Sequence, residues 1–259
     1  MSAALAPETL DLTGTPRIKT GTLIRTELRK LADTRSGFWL LVTIGVITAA
    51  IIAIFFATAA ESERTFWNFM GATATPQGFL LPVMAILLVT SEWTQRTALV
   101  SFTMVPARGR VLFAKVVAAL LAGLAAILLA VAIAAIATLL GGADDPWAGV
   151  TAQDFGIFAI LQASGILQGL AFGLLFLNSA AAIVTYFVLP IGFSIVAGMW
   201  SALRDIAPWV DLGTAQGALF EGGGDLTGEQ WAQLGTTSLI WVVLPFVLGL
   251  VRVLRAEVK

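Results

Sequence analysis

Five stretches of the chain carry no Asp, Glu, Lys or Arg: Ser36 to Ala60, Thr65 to Ser91, Val116 to Ala143, Phe155 to Leu203, and Gln230 to Val251. An ionised side chain at the centre of a bilayer costs about 2.5–3.5 kcal/mol even on the lenient insertion scale, so charge-free windows mark membrane spans. Each window is long enough for a helix of about 20 residues to cross about 30 Å of hydrocarbon. The fourth would make a helix of about 70 Å at about 1.5 Å per residue, so it must fold back. The reversal is expected at Leu177-Asn178-Ser179, where Asn and Ser offer local side-chain to backbone bonds. The pattern predicts an all-α polytopic fold whose transmembrane domain covers 37–256, with spans near 37–60, 70–91, 112–140, 155–177, 180–200 and 235–254.

A different period precedes the first span. Leu23, Ile24, Leu28 and Leu31 recur at spacings of three to four while Arg25, Arg29 and Lys30 take other faces. Residues 17–36 therefore predict a basic amphipathic helix lying flat on the inner leaflet. Residues 1–16, with Pro7, Gly14 and Pro16, predict a disordered cytoplasmic leader. The polar leader and long first apolar run exceed the roughly 7–15-residue core of a cleaved signal peptide, although Ala57-Thr58-Ala59 resembles a cleavage site.

Composition sharpens this picture. Apolar residues make up 58% of the chain, charged residues 12%, and the mean hydropathy is +0.90, too few charges to cover a soluble surface. Soluble enzymes and nucleic-acid binders are excluded on that ground. With no Cys and no His, thiol nucleophiles, disulfides and the commonest metal ligand are absent too. The chain is expected to bind no cofactor.

The net charge of −1 hides a strong asymmetry. Thirteen basic residues flank alternate spans on one side: Arg17, Lys19, Arg25, Arg29, Lys30 and Arg35, then Arg96, Arg108, Arg110 and Lys115, then Arg252, Arg255 and Lys259. Only Arg64 and Arg204 lie on the other, with ten of the sixteen carboxylates. Lys and Arg are retained on the cytoplasmic side, which places both termini in the cytoplasm of a cell-membrane protein. Trp39, Trp67, Trp93, Trp147, Trp200 and Trp231 fall near span ends as an interfacial belt; Trp241 does not.

The internal cytoplasmic loop 92–110 is longer than a connector needs. A short helix from Thr94 to Thr103 is expected to end before Pro106, and Leu99, Phe102 and Met104 would give it an apolar docking patch beside charge. On the outer side, 201–234 contains Pro208, a Gly222-Gly223-Gly224 run and the short apolar stretches Ile206 to Val210 and Ala215 to Phe220. Those stretches are too short to span and suit re-entrant helices. Gly165, Gly169 and Gly173 repeat every fourth residue, a smooth stripe for close helix packing within the chain or against a second subunit. Pro82, Pro190 and Pro245 lie inside spans and should kink them. Gln162, Gln168, Thr185 and Tyr186 are the polar candidates for lining a substrate path.

Glu92 at the end of the second span, Arg96-Thr97 four to five residues on, Pro106, Arg108 and the Ala114-Lys115 that opens the third span together resemble the membrane subunit of type-2 ATP-binding-cassette transporters. The amphipathic leader helix, six spans and long outer segment extend the likeness over nearly the whole chain. One departure is Arg96, where many members have Gly. In that family the loop is the coupling helix that sits on the nucleotide-binding subunit. The resemblance thus implies coupling roles for Glu92, Arg96, Thr97, Leu99, Phe102, Pro106, Arg108 and Lys115. It also implies cytoplasmic ATPase subunits that hold ATP and Mg, a second permease chain, identical or not, an extracellular gate over 201–234, and hydrophobic or amphipathic cargo.

Two features agree with a borrowed motor. No Asp, Glu, Lys, Arg or His lies mid-span, which disfavours proton coupling, and no Gly-x-x-x-x-Gly-Lys-Ser/Thr loop is present to bind ATP. The chain is expected to be a non-catalytic subunit of an exporter. The rivals are a polytopic membrane enzyme, which would need a catalytic pairing that the residues do not offer, and a non-transporting scaffold.

Overall fold

A computed structural model of the chain describes residues 18–221 and 226–256. The predicted leader 1–16 and the Gly222-Gly223-Gly224 run lie outside the described residues. The chain is an all-α polytopic membrane protein with six helices long and apolar enough to cross a bilayer, and no strand among the described residues.

The amphipathic segment forms α1 (Thr20–Asp33). It stops two residues before the first span, α2 (Arg35–Thr58), because Thr34 is extended and caps α2, its hydroxyl accepting from the Gly37 amide at 3.1 Å. Glycine is required at 37: a Cβ there would sit 2.2 Å from the Leu31 carbonyl oxygen. This tight elbow shortens the expected 17–36 helix. Leu23, Leu28 and Leu31 of α1 join the main core, so α1 lies against the helix bundle with Arg25 and Arg29 turned out and Lys30, expected on that face, turned in.

The second span is α3 (Phe66–Thr94), followed by the short α4 (Ala98–Met104) and the long α5 (Arg108–Gly141). Then come α6 (Ala152–Phe176) and α7 (Ser179–Met199). Their reversal uses Leu177 in the left-handed region, φ 51°, and Asn178, whose side chain accepts from the Ala181 amide at 3.0 Å. The central pair is α3 and α6, with 56% and 61% of their most apolar windows buried, against 17% for α2 and 11% for α7. The outer helices thus leave most of their apolar surface for lipid or another chain.

The glycine stripe makes that central contact possible. A Cβ on Gly169 would lie 2.6 Å from the Pro82 carbonyl oxygen, and those on Gly165 and Gly173 would lie 3.3 Å from Pro82 Cγ and 3.4 Å from Ile86 Cα. Of the two uses open to the stripe, packing within the chain is the one the geometry shows.

Beyond α7, α8 (Ser201–Val210) and α9 (Leu212–Glu221) form a short hairpin bent at Asp211. The last span is composite: α10 (Gly228–Ser238), a π-turn over Leu239–Val243, and α11 (Leu244–Arg255). Pro245 lacks the N–H that would bond the Trp241 carbonyl, and the wider turn, with Leu244 N–H reaching Leu239 O, takes up the mismatch.

The two lone cations of the basic-poor end are occupied by helix C-termini. Arg64 donates to Gly141 O at 3.4 Å and lies 4.8 Å from the centre of the Phe56 ring, and Arg204 donates to Gly198 O at 3.3 Å. At the other end Arg108 does the same for α11, donating to Val253 O at 2.8 Å and Ala256 O at 2.9 Å, and Arg252 donates to Leu175 O of α6.

Candidate functional site

The basic end is built around four charges, of which Glu27, Glu92 and Lys115 are buried and Lys30 is 35% exposed. Glu27 and Lys30 come from α1, Glu92 from α3 and Lys115 from α5. Glu27 splits its oxygens, Oε1 to Lys30 Nζ at 2.7 Å and Oε2 to Lys115 Nζ at 2.8 Å. Glu92 Oε1 takes Lys30 at 2.6 Å, Lys115 at 3.4 Å and the Ser101 hydroxyl of α4 at 3.0 Å. Lys115 also donates to Leu88 O at 3.1 Å. Two carboxylates and two ammoniums cancel, which is the condition under which charges tolerate such burial. Burial pulls the Lys30 ammonium below the ordinary lysine value, but hydrogen bonds to Glu27 and Glu92 and their negative charges outweigh it and hold it above.

Three helices therefore meet at one ionic knot, and α4 is tied to it as a fourth through Ser101. The sequence places Glu27 on the apolar face of α1, four residues from both Leu23 and Leu31. A carboxylate in that stripe was the available signal for a buried partner; Glu27 and Ser101 were not picked out from the sequence, and Lys30 was expected on the outer basic face rather than against Glu92.

All eight residues expected at the coupling loop gather at this end, in different situations. Glu92 and Lys115 face inward, so whatever they contribute passes through the position of α4. Arg96, Thr97, Leu99 and Pro106 are exposed. Phe102, expected on the outward patch, is turned in, 6.2 Å from the Trp93 ring and 5.0 Å from the Arg108 guanidinium. The outward apolar patch consists instead of Leu99, Val100 and Met104, which are 46%, 58% and 69% exposed. The helix begins at Ala98 rather than Thr94 because α3 continues to Thr94 and Arg96 turns the chain in the left-handed region, φ 57°. That is the conformation glycine adopts most readily, and it is the position where the resemblance expects Gly.

A second polar region lies inside the bundle. Gln162 donates to Gln77 Oε1 at 2.9 Å, and Gln77 donates on to Ala126 O at 3.3 Å, so one predicted path residue is part of a buried amide chain linking α6, α3 and α5. Gln162, Gln168 and Tyr186 line one cavity of about 220 Å³; Gln168 and Tyr186 also line a second of about 260 Å³. Thr185 lines neither. Gln77, Asp211 and Gln216 complete this region and had no periodicity to mark them.

No family model matches the chain, and no curated protein matches it. Among the described residues no group of three or more His, Cys, Asp or Glu side chains could hold a metal ion.

Proposed function

We propose that the chain is the membrane subunit of an ATP-driven exporter of the type-2 ATP-binding-cassette kind, working as two six-span chains on two separate ATPase subunits. The observation that carries this reading is α4: a seven-residue helix presenting Leu99, Val100 and Met104 outward while its inner face is bound to α3 and, through Glu92, to α1 and α5. An exposed apolar patch on a rigidly held loop suits the docking of a protein partner and the transmission of its movement. The basic end then faces the cytoplasm of a cell membrane. Closure of the ATPase dimer pushes α4, and the ionic knot passes the displacement to the second and third spans and to α1 together. The path opens outward between helices that carry few polar groups, which suits hydrophobic or amphipathic cargo.

Affinity purification from native membranes tests this reading, with mass spectrometry to identify what comes along. An ATPase recovered in stoichiometric amount is the expected result, and Leu99→Asp with Met104→Asp should release it while the chain stays folded. A clean isolated chain, or an ATPase retained by the double variant, overturns it.

A further inference from the structure

The α8–α9 hairpin forms part of the wall of the polar cavities. Trp241 sits in the middle of the last span and its indole N–H donates to Val210 O at 2.6 Å. The Asp211 corner of the hairpin is thereby held deep in the bundle. Gln168 lies eight residues from the end of α6, about 12 Å along the helix, and Tyr186 lies seven residues into α7, about 10 Å along. The two cavities share Gly78, Gln168, Tyr186 and Gln216, and Asp211 lines the second beside Trp241.

The polar groups here are not used up within the protein. Gln216 is held by Ser164 at 2.9 Å, and Asp211 Oδ2 accepts from the Thr214 amide at 2.8 Å and hydroxyl at 2.6 Å. Among the described residues, Asp211 Oδ1, both ends of the Gln168 amide and the Tyr186 hydroxyl have no hydrogen-bond partner. Gln168 is 6% exposed and Asp211 5%, and the access they retain is to the cavities. Asp211 has no ion-pair partner among the described residues and is the only carboxylate or cation lining either cavity. A buried, unpaired carboxylate is costly unless something brings a counter-charge. Around it stand aromatic walls: Phe79 and Phe187 stack at 5.2 Å, with Tyr186 and Trp241 alongside. The Tyr186 hydroxyl lies beside Gly165, 3.5 Å from where a Cβ would be.

We infer that this is a binding site for a compact organic cation, a protonated amine on an apolar, ring-bearing body. The ammonium pairs with Asp211 Oδ1, the Gln168 carbonyl and Tyr186 hydroxyl accept its remaining N–H bonds, and the body lies against the aromatic walls, whose faces favour a cation. The two lobes, about 220 and 260 Å³, suit one or two fused rings and are small for a drug-sized molecule. The inference does not depend on an ATPase partner, because the site is complete within one chain.

The test uses the full chain in nanodiscs of zwitterionic phosphatidylcholine, with no ATPase. Calorimetric titration compares 1-naphthylmethylamine with its neutral counterpart 1-naphthalenemethanol, each corrected for uptake by empty nanodiscs. The amine should bind about tenfold or more tightly than the alcohol, the worth of a charge-assisted hydrogen bond. Asp211→Asn keeps a side chain able to cap α9 and should abolish that preference. Gln168→Leu should weaken the amine, and Asp205→Asn, the same charge change on the exposed side of α8, should leave binding unchanged. Equal binding of the two probes by the natural chain overturns the inference, as does an Asp211→Asn chain that still prefers the amine. One-for-one displacement of the amine by Na⁺ assigns the site to an inorganic cation and overturns it as well.

Discussion

Lys115→Met is the sharpest perturbation of the ionic knot. Its Nζ is within 2.8 Å of Glu27 and 3.4 Å of Glu92, and its side chain is 3% exposed. Met fills a similar volume, so the change is one of charge rather than of packing. It leaves two buried carboxylates sharing the single ammonium of Lys30. Removing one member of a buried pair typically costs about 3–5 kcal/mol, because the survivor remains desolvated and unpaired. Glu27→Gln should cost about as much for the opposite reason, leaving the Lys115 ammonium to one carboxylate and one backbone carbonyl. The double variant restores neutrality with Lys30 and Glu92 alone, so its cost should fall short of the sum of the single costs by about 1–3 kcal/mol. Lys30→Met should be milder than Lys115→Met, about 1 kcal/mol, since Lys30 is 35% exposed and water replaces part of what is lost. Reversible unfolding in mixed micelles, followed by tryptophan fluorescence, measures all four. Costs that add to within about 0.5 kcal/mol, or a Lys30 variant as damaged as the Lys115 variant, would refute a charge-coupled knot.

Because Lys30 holds its proton more tightly folded than unfolded, its contribution to stability should be complete below its ordinary value of 10.5 and be lost as pH rises above that toward the folded value. Unfolding midpoints against pH should show this alkaline fall in the natural chain and a smaller one in Lys30→Met. Gly169→Ala drives a Cβ to 2.6 Å from the Pro82 carbonyl oxygen and should destabilise by about 1–3 kcal/mol, whereas Gly156→Ala in the same helix meets nothing within 4 Å and should be neutral or slightly stabilising on thermal unfolding. Arg96 adopts φ 57°, so Arg96→Gly should be tolerated or stabilising within about 1 kcal/mol while Arg96→Val costs more than that, read from the same unfolding curves.

The spans were legible because hydrocarbon imposes a rule that single residues must obey: an ionised side chain interrupts, and its absence over 20 residues marks a helix. The reversal at Leu177 and Asn178 was legible for the same reason, since no single helix could be that long. Helix ends were less so. The arrest of α1 at Asp33 depends on the Thr34 hydroxyl and on a Gly37 that must pass close to Leu31, both of which are tertiary facts written as single ordinary letters. The inward turn of Phe102 follows from α4 starting at Ala98, and that start depends on Arg96 taking a left-handed conformation that residues other than Gly rarely adopt.

The polar interior was the hardest to foresee, and the reason bears on how the chain works. A rule that searches spans for charge finds none at mid-depth, yet Asp211 arrives there from outside any span, carried in on the α8–α9 hairpin and held by Trp241, the tryptophan that fits no interfacial belt. The misplaced tryptophan and the short apolar stretches were both visible; their connection was not, because it joins residues 31 apart across a fold. Contrast the two charged regions. At the basic end the charges of Glu27, Lys30, Glu92 and Lys115 satisfy one another and stiffen the junction of four helices. Deep in the bundle the carboxylate of Asp211 keeps an oxygen open toward a cavity. One oxygen of Asp211 caps α9, which accounts for an acceptor at this position, but a neutral Asn or Ser would cap as well without the cost of burying a charge. That cost is explicable when a ligand supplies the missing charge.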